Sequence, residues 1–339
     1  MPRIASDCSG AARAVCDAPR VRSPDGRFAP SPSGPLHIGN LRTALLAWLF
    51  ARSQQARFVL RIEDLDPVRS RRDYEEQALT DLQRLGVDWD PALTRGAQAG
   101  RGPVRQSERR ERHRQVLEEL RAAGRVYPCW CTRAEVRLAA AAPHGADRGG
   151  AYPGTCRKLS ASERRSREAS GRPSAWRLDA RGARVGFNDR IHGARSADVD
   201  DFVLWRGDDV PAYNLAVVVD DADERIGEVV RGADLLETTP RQVLLAELLG
   251  FPQPRYVHVP LVLGHDGKRL AKRHTEMTLD LRVGRGEAIE GLVGWMASSA
   301  GLAEPGARLS ALELLARFDP RRLRSEPARV DAAGRLNAA

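Results

Sequence analysis

The sequence predicts an α/β protein whose strands form a parallel sheet. From Phe28 to about Trp89 the pattern runs strand, loop, helix, strand, helix, and strands that are joined through a helix lie parallel. The stretch "ARFVLRIEDLD" is apolar and ends in acids, which is typical of a buried parallel strand that carries carboxylates at its C-terminal end. Hydrophobic residues make up 42% of the 339 residues, which is enough for the core of one large or two ordinary domains.

The first strand runs into the loop "RFAPSPSGPLHIGN" and then into a helix. Five apolar residues at helical spacing define one face of that helix: Leu41, Ala44, Leu45, Trp48 and Leu49. A second helix covers "SRRDYEEQALTDLQRLG" and ends at Gly86, and a third helix, rich in charge, covers residues 108–124.

The second half of the sequence predicts strands from Trp176 to Asp223, including "AYNLAVVVDDAD". A helix follows in "TPRQVLLAELLG", where Pro240 lies near the helix start. Next come a strand in "YVHVPLVLG" and the polar loop "HDGKRLAKRH". The remaining residues predict short helices that are interrupted at "EPGAR" and "DPRR".

This pattern divides the chain into five segments. They are a disordered extension (1–24), the first half of the α/β domain (25–125), an insertion (126–175), the second half of the domain (176–275) and a C-terminal helical region (276–339). The extension has no continuous hydrophobic stretch, so we do not expect it to be a secretory signal. The insertion is polar and has little core of its own, so a bound metal would supply stability that it otherwise lacks.

The net charge suits a polyanionic partner, and without a secretory signal or a membrane-length apolar run we expect a cytoplasmic location. The net charge is +9, with 54 basic and 45 acidic residues, and no apolar run approaches the roughly 20 residues that a membrane helix needs. Nearly all basic residues are arginines, since the chain contains only three lysines, Lys158, Lys268 and Lys272. Two of these lie within five residues of each other, which indicates a place where a compact ammonium group matters.

The start of the first helix is a candidate phosphate site. A helix N-terminus exposes unpaired backbone N–H groups and the positive end of the helix dipole. Gly39 allows a ligand close to the backbone, His37 and Asn40 add side-chain donors, and the prolines stiffen the loop. The residues at 37–40 therefore suit a nucleotide triphosphate, although an ordinary Pro-rich connection has the same composition.

The loop "GKRLAKRH" is a second candidate for ATP binding. A cationic loop that follows a strand can hold the β and γ phosphates as charge develops on them. It contains Lys268 and Lys272, two of the three lysines. The alternative is a charged loop that is simply solvated.

The two motifs together resemble the paired ATP signatures of class I aminoacyl-tRNA synthetases. "PSPSGPLHIGN" is followed roughly 230 residues later by "KRLAK", and "LRIEDLDPVRS" and "AYNLAVVVDDADERIGEVVRGADLL" narrow the resemblance to the glutamyl branch of that class. It covers roughly residues 26–300, with four blocks in the right order. The resemblance implies a class I synthetase fold, with a Rossmann-like parallel sheet and a C-terminal helical region.

Within the branch, the chain resembles the short glutamyl-queuosine tRNA(Asp) synthetases. It ends soon after "KRLAK", so we expect no anticodon-binding domain, and it carries "CWC" followed by "YPGTC". The resemblance implies that the protein activates glutamate with ATP and Mg²⁺, and we expect it to be a monomer. It then transfers the glutamyl group to queuosine in the anticodon loop of tRNA(Asp).

The cysteines of the insertion are candidate zinc ligands. Three thiolates, from Cys129, Cys131 and Cys156, suit one tetrahedral structural zinc ion. The resemblance implies Tyr152 as the fourth ligand, and His144 in the same insertion is the chemically ordinary alternative. A third possibility is that the thiols are reduced and bind no metal.

Glutamate carries two carboxylates and one ammonium, so its site needs two cations and an acid. Arg27 and Arg231 are the candidate cations and Glu63 the acid, because guanidinium groups bind carboxylates in bidentate fashion. Which arginine takes the side-chain carboxylate stays open. The resemblance implies that eight residues line this pocket: Arg27, Phe28, Ala29, Pro30, Ser31, Glu63, Tyr213 and Arg231. The alternatives are a strand-end ion pair for Glu63 and Arg231 and a core aromatic for Tyr213.

The resemblance also implies the catalytic and ATP-binding residues. His37 and Asn40 steady the triphosphate, Lys272 holds the departing pyrophosphate, and Arg269 belongs to the same ATP site. The chain departs from the general signatures at three positions, where Asn40 replaces a histidine, Arg269 replaces a lysine and Ala271 lacks a hydroxyl. Because the positive charge persists, we expect activity with an altered affinity for ATP.

Two other functions compete with this one. A truncated glutamyl-tRNA synthetase would charge the 3′ end of tRNA. An inactive paralogue would act as an RNA-binding or regulatory module and would have lost the charged pocket residues. All five of these remain: Arg27, His37, Glu63, Arg231 and Lys272.

Overall fold

The computed structural model describes residues 24–94, 102–132, 134–136, 152–270, 277–331 and 335. Lys272, Ala271 and His144 lie outside these residues, as does the predicted disordered extension before residue 24. Within the described part the chain mixes helices with mostly parallel strands, so the α/β prediction is confirmed. The predicted domain boundaries stay predictions.

The described residues contain twelve named strands and nine α-helices. The strands are β1 (Gly26–Phe28), β2 (Phe58–Ile62), β3 (Val104–Arg105), β4 (Val126–Cys129), β5 (Ala175–Leu178), β6 (Arg184–Asp189), β7 (Gly193–Asp198), β8 (Val203–Trp205), β9 (Glu228–Gly232), β10 (Arg255–Val259), β11 (Val262–Leu263) and β12 (Ala328–Arg329). The helices are α1 (Ile38–Arg52), α2 (Arg72–Arg84), α3 (Arg110–Ala122), α4 (Ala161–Ala169), α5 (Tyr213–Asp223), α6 (Thr239–Leu248), α7 (Leu279–Gly284), α8 (Ile289–Ser299) and α9 (Ala311–Ala316).

Two sets of parallel strands meet at β1 and β9. One set runs β1-β2-β3, and the other runs β7-β6-β10-β9, where only β7 is antiparallel. The backbone oxygen of Asp25 accepts hydrogen bonds from the N–H groups of Gly227 and Glu228, which brings β9 beside β1. The chain order reverses between these two strands. Ligands of such folds bind at this reversal, at the carboxyl ends of the strands.

Helix α1 lies behind this junction and is buried on nearly all sides. Eleven of its 15 residues are buried, because it packs against β1, β9, α8 and α9 together. The helix is therefore buried on nearly all sides rather than on the single predicted face. Its buried Arg42 donates to the backbone oxygens of Pro260 (2.6 Å) and Ser299 (3.3 Å), and burial lowers the pKa of Arg42 to about 10.

The segment "AYNLAVVVDDAD" forms helix α5, so the prediction of a strand there is wrong. Its residues from Leu215 to Asp221 are all buried, since the helix packs against β8, α3 and α6. A continuous apolar run has neither helical nor strand periodicity, and its three valines favoured a strand. Packing on several sides overrides that preference. The adjacent Asp220 and Asp221 reach different partners, His113 and Arg27, as neighbours on a helix do.

The remaining elements follow the prediction more closely. Helix α6 has Pro240 in its first turn, α2 is followed by Gly86 at φ +77°, and the C-terminal region forms the short helices α7, α8 and α9. The predicted strand "YVHVPLVLG" is divided at Pro260 into β10 and β11. Strand β12, which pairs parallel with β11, was not predicted from the sequence.

The insertion contributes a three-stranded antiparallel sheet. Strand β5 lies between β4 and β8, so the sheet includes strands from both sides of residue 175. The cysteines lie at one end of this sheet, where Cys129 is the last residue of β4. In the part of the chain that the structure describes, no helix has the length and apolar character needed to cross a membrane.

Asp81 on α2 is a buried acid that makes the fold sensitive to pH. Neither of its carboxylate oxygens has a hydrogen-bond partner among the described residues, and the guanidinium of Arg84 is 3.9 Å away. Burial, together with the charge of Asp280, raises the pKa of Asp81 to about 7. When the pKa of an acid is higher in the folded protein than in the unfolded chain, the folded state binds more protons between these two pKa values. The free energy of unfolding therefore falls as the pH rises from the lower pKa to the higher one.

We therefore expect the free energy of unfolding to fall between pH 4 and pH 7, and Asp81→Asn to remove most of this fall. At pH 8 the variant should be more stable than the wild type by roughly 1–2 kcal/mol. Urea unfolding across this pH range measures the effect. The exposed Glu76→Gln on the same helix is the control, and equal pH profiles for Asp81→Asn and the wild type would contradict the assignment.

Candidate active site

A cleft of about 750 Å³ opens where β1 and β9 meet, in front of the N-terminus of α1. Its wall includes the eight predicted glutamate residues and three of the predicted ATP residues: Arg27, Phe28, Ala29, Pro30, Ser31, Glu63, Tyr213, Arg231, His37, Asn40 and Arg269. Residues separated by about 200 positions thus share one cavity, because the parallel strands end at the same edge.

His37 and Asn40 cap the first turn of α1. The backbone N–H of Asn40 donates to Nδ1 of His37, and the backbone N–H of His37 donates to Oδ1 of Asn40, both at 3.3 Å. Since Nδ1 accepts a hydrogen bond, the proton of the neutral ring lies on Nε2. A Cβ on Gly39 would be 3.1 Å from the His37 ring, so the glycine makes room for the imidazole.

The second motif approaches the same cleft. Arg269 forms a bridge with Leu263 through the backbone and an ion pair with Asp234. Leu270 lines the cleft near Gly39, and Thr278 forms an isolated β-bridge with His37. The described residues on both sides of the segment 271–276 therefore contact the first motif or its cavity. The predicted catalytic Lys272 itself lies outside the described residues.

Arg27 is held by an acid that the sequence analysis did not identify. Its guanidinium makes two hydrogen bonds with the carboxylate of Asp221 on α5, at 3.1 and 3.3 Å. Arg61 on β2 donates to the same carboxylate at 2.6 Å. These arginine charges hold the pKa of Asp221 below its ordinary value although burial acts in the opposite direction. The adjacent Asp220 and Asp221 could have indicated this acid in the sequence, but the segment was predicted to be a strand instead of helix α5.

Glu63 lies at the end of β2 with its carboxylate 3.5 Å from the guanidinium of Arg61. Burial raises the pKa of Glu63, against the lowering effect of Arg61 and Arg27. The strand-end ion pair that we considered as an alternative is thus present, and Glu63 also lines the cleft. Burial likewise raises the pKa of Tyr213, so its phenol is protonated at neutral pH.

Arg231 has a different environment. Its guanidinium donates to Nε2 of His258, Oε1 of Gln242 and Oγ1 of Thr239, at 2.9, 2.7 and 2.8 Å. None of these acceptors is a carboxylate, and no ion pair of Arg231 is found among the described residues. None of the three partners could be identified from the sequence, because they come from β10 and α6 and their spacing along the chain carries no signal.

A second cavity, of about 740 Å³, adjoins the first. The two share Ser31, Glu63 and Tyr213, and the far wall of the second cavity comes from the sheet of the insertion and includes Arg177 and Arg206. The candidate site therefore has two connected compartments, one at the junction of the parallel strands and one facing the insertion.

The three cysteines of the insertion converge, and one of them, Cys131, also lines the second cavity. Their sulfur atoms lie within 4.8 Å of one another, and the phenol oxygen of Tyr152 is 3.5 Å from the sulfur of Cys129 and 3.7 Å from that of Cys131. Four ligands around tetrahedral zinc lie about 3–4 Å apart, so this cluster has the size of a metal site. The N–H of Cys156 donates to the phenol at 2.7 Å.

The pKa values of two of these thiols are shifted in opposite directions. Burial raises the pKa of Cys131 to about 12, whereas hydrogen bonds from the Trp130 backbone and from Tyr152 outweigh burial and hold the pKa of Cys156 below its ordinary value. A cation at the centre would favour the thiolate form of all three.

Comparisons with known proteins agree with this geometry. Residues 25–290 match the family described as tRNA synthetases class I (E and Q), catalytic domain. The Glutamyl-Q tRNA(Asp) synthetase of Nocardia farcinica is 52% identical over 303 residues, which cover 89% of this chain and 91% of that protein. The protein of the same name from Symbiobacterium thermophilum is 49% identical over 311 residues, which cover 91% of this chain and 96% of that protein.

A similar fold is found in a crystal structure of a glutamate tRNA ligase from Elizabethkingia meningosepticum in complex with its amino acid. The TM-score is 0.76 at 28% sequence identity, and the match covers 91% of this chain and 67% of that chain. The family match spans most of the chain, and the two relatives are matched over nearly their full lengths. The chain therefore belongs to the class I tRNA synthetases of the glutamate and glutamine branch, and within that branch to the glutamyl-Q tRNA(Asp) synthetases.

Proposed function

We propose that this protein is a cytoplasmic ligase that activates glutamate with ATP and transfers the glutamyl group to queuosine in the anticodon loop of tRNA(Asp). The observation that carries the proposal is the cleft at the β1–β9 junction, which contains the helix-capping His37 together with Arg27, Glu63, Arg231 and Arg269. Its arginines and the acid Glu63 suit an amino acid with two carboxylates beside a nucleotide.

The charges around the cleft match those of glutamate. Apart from the Arg269–Asp234 ion pair, which is neutral overall, three arginines accompany two carboxylates in and behind the cleft wall: Arg27, Arg61 and Arg231 with Asp221 and Glu63. One positive charge therefore remains when Glu63 is ionised. Glutamate at neutral pH carries one net negative charge. Arg27 already shares a carboxylate with Arg61, whereas Arg231 contacts neutral acceptors, so Arg231 offers the stronger attraction for a substrate carboxylate.

In the first step, an oxygen of the α-carboxylate of glutamate attacks the α-phosphorus of ATP, and the bond to pyrophosphate breaks. Nε2–H of His37, the amide of Asn40 and the first N–H groups of α1 bind the triphosphate. Lys272 and Arg269 stabilise the charge on the departing pyrophosphate, and Mg²⁺ accompanies the ATP. Glu63 binds the ammonium group of glutamate. The reaction needs no covalent nucleophile from the protein, which acts by positioning the substrates and stabilising charge.

In the second step, a hydroxyl of the queuosine ring attacks the acyl carbon, AMP leaves, and an ester forms. The second cavity is the route that we propose for this base, because it meets the first cavity at Ser31, Glu63 and Tyr213. A nucleoside entering from the insertion side would reach the acyl group without crossing the ATP site.

The test is to incubate the protein with ATP, radioactive glutamate and tRNA(Asp) that carries or lacks queuosine. We expect label on the queuosine-containing tRNA(Asp), located in its anticodon fragment after nuclease digestion. Label at the 3′ end of unmodified tRNA(Glu) would indicate instead a truncated glutamyl-tRNA synthetase, and no glutamate-dependent pyrophosphate exchange would indicate an inactive paralogue. Lys272→Ala should lower that exchange by at least tenfold, whereas the matched Lys158→Ala should leave it unchanged.

Glu63 should make glutamate binding dependent on pH. Burial raises the pKa of Glu63, so its carboxylate is lost by protonation as the pH falls through that raised value, and the ammonium group loses its partner. KM for glutamate should therefore rise on the acid side in the wild type. Glu63→Gln should raise KM by about 50-fold at pH 8, or roughly 2–3 kcal/mol, and remove the acid limb.

The control for this prediction is Glu118→Gln on the exposed side of α3, which should retain the wild-type profile. An unchanged KM for glutamate in Glu63→Gln would show that the ammonium group binds elsewhere. Circular dichroism separates this result from a loss of folding.

We propose that Cys129, Cys131, Cys156 and Tyr152 hold one zinc ion. The three sulfurs and the phenol oxygen have the donor set and spacing that such a site needs. The ion would cross-link the end of β4 to the turn at 152–156 and so stabilise the insertion. It takes no part in the chemical steps.

Metal analysis of the purified protein should find about one zinc per chain, and Cys129→Ser or Cys156→Ser should abolish it. Cys16→Ser is the matched control, because Cys16 lies far from this cluster in sequence. Tyr152→Phe should weaken zinc binding at least tenfold if the phenol is the fourth ligand. The same loss in His144→Ala, with Tyr152→Phe unaffected, would assign that position to the histidine instead.

A further inference from the structure

Three hydrogen bonds orient the guanidinium of Arg231. Each of its three nitrogens donates to one acceptor, namely Nε2 of His258, Oε1 of Gln242 or Oγ1 of Thr239. The three acceptors are neutral, so they orient the group without cancelling its charge. The hydroxyl and the amide oxygen keep lone pairs at any pH, whereas Nε2 of the imidazole loses its lone pair on protonation. The protonation of His258 therefore decides whether all three acceptors are available.

His258 is held as an acceptor by Asp189. The ring is fully buried, and its Nδ1 lies 2.7 Å from Oδ2 of Asp189, so the proton is on Nδ1 and Nε2 keeps its lone pair. Asp189 is itself fixed by the backbone. Its oxygens accept from the N–H groups of Ile191, His192 and His258 at 2.9–3.0 Å.

The groups around the ring keep it neutral. Burial and the charge of Arg231 lower the pKa of His258, while Asp189 acts to raise it, and the net shift is downward. The other titratable groups that face the ring are His192, whose Nε2 lies 3.0 Å from the backbone oxygen of His258, and Tyr256, whose ring stacks at 6.0 Å. A protonated His258 would place a second cation against Arg231 and remove its acceptor.

We propose that His258 is a positioning residue for substrate binding, which Asp189 keeps in the tautomer that aims Arg231 into the cleft. The chain Asp189–His258–Arg231 runs from β6 through β10 to β9, so three adjacent parallel strands fix one guanidinium. This inference rests on the proposed function only in the assignment of Arg231 to a carboxylate of glutamate. His258 does not line the cleft, so its effect reaches the substrate through Arg231.

Two substitutions of His258 distinguish the contact of Nδ1 with Asp189 from the contact of Nε2 with Arg231. In His258→Gln the amide oxygen can take the place of Nε2 and accept from Arg231, whereas in His258→Asn the shorter amide reaches Asp189 and leaves Arg231 without this acceptor. We expect His258→Asn to raise KM for glutamate about tenfold in ATP–pyrophosphate exchange, with kcat and KM for ATP changed by less than twofold. His258→Gln should stay within about threefold of the wild type.

The readouts distinguish positioning from a general loss of structure. Equal KM values in the two variants, or a fall in kcat alone, would overturn the inference while the proposed function stands. A wild type without glutamate-dependent exchange would overturn the proposed function, and the role of His258 in substrate binding with it. If the variants do not fold, the nitrogen NMR shifts of His258 in the wild type decide, because a proton on Nε2 contradicts the inference and a single proton on Nδ1 supports it.

Discussion

The candidate site depends on the buried ion pairs that the carboxylate of Asp221 forms with Arg27 and Arg61. This carboxylate receives Arg27 from β1 and Arg61 from β2, so it joins the first half of the chain to α5 in the second half. A buried ion pair of this kind adds little net stability, but removal of one partner leaves an uncompensated charge at a cost of about 3–5 kcal/mol. The carboxylate thus keeps both arginines ordered at the base of the cleft. It determines where Arg27 lies before any substrate arrives.

This arrangement divides the positive charge of the cleft unequally. Arg27 and Arg61 are balanced by Asp221 and by Glu63, whereas Arg231 contacts an imidazole, an amide and a hydroxyl. In a buried setting the field of an unbalanced guanidinium is weakly screened. Under the proposed assignment of Arg231 to a carboxylate of glutamate, ligands without a second carboxylate would be disfavoured, because the buried charge of Arg231 would lack a counter-ion. The selectivity that we propose, for an amino acid with two carboxylates, arises because Arg27 and Arg61 already have acidic partners and Arg231 does not.

The parts of this structure that could be predicted from sequence are those written in local patterns. The apolar run ending in Glu63 predicted β2, and the loop before His37 predicted the helix start, because period and capping act over a few residues. The strand wrongly predicted at "VVVDD" shows where local pattern fails, since packing on several sides decided that element. The contacts of Arg231 with His258 could not be predicted, because they depend on strand order across distant segments.

His37, which lines the cleft, and His258, which contacts the cleft residue Arg231, show how a fold gives one side-chain type opposite roles. In His37 the N–H of Asn40 occupies Nδ1 as a donor, so the proton must lie on Nε2, and the ring presents a donor. In His258 the carboxylate of Asp189 occupies Nδ1 as an acceptor, so the proton must lie on Nδ1, and the ring presents an acceptor. The first suits an anionic phosphate and the second suits a guanidinium. The partner on Nδ1 therefore decides whether Nε2 of each imidazole donates or accepts. For His37 that partner is an N–H of the helix cap, and for His258 it is the carboxylate at the end of β6.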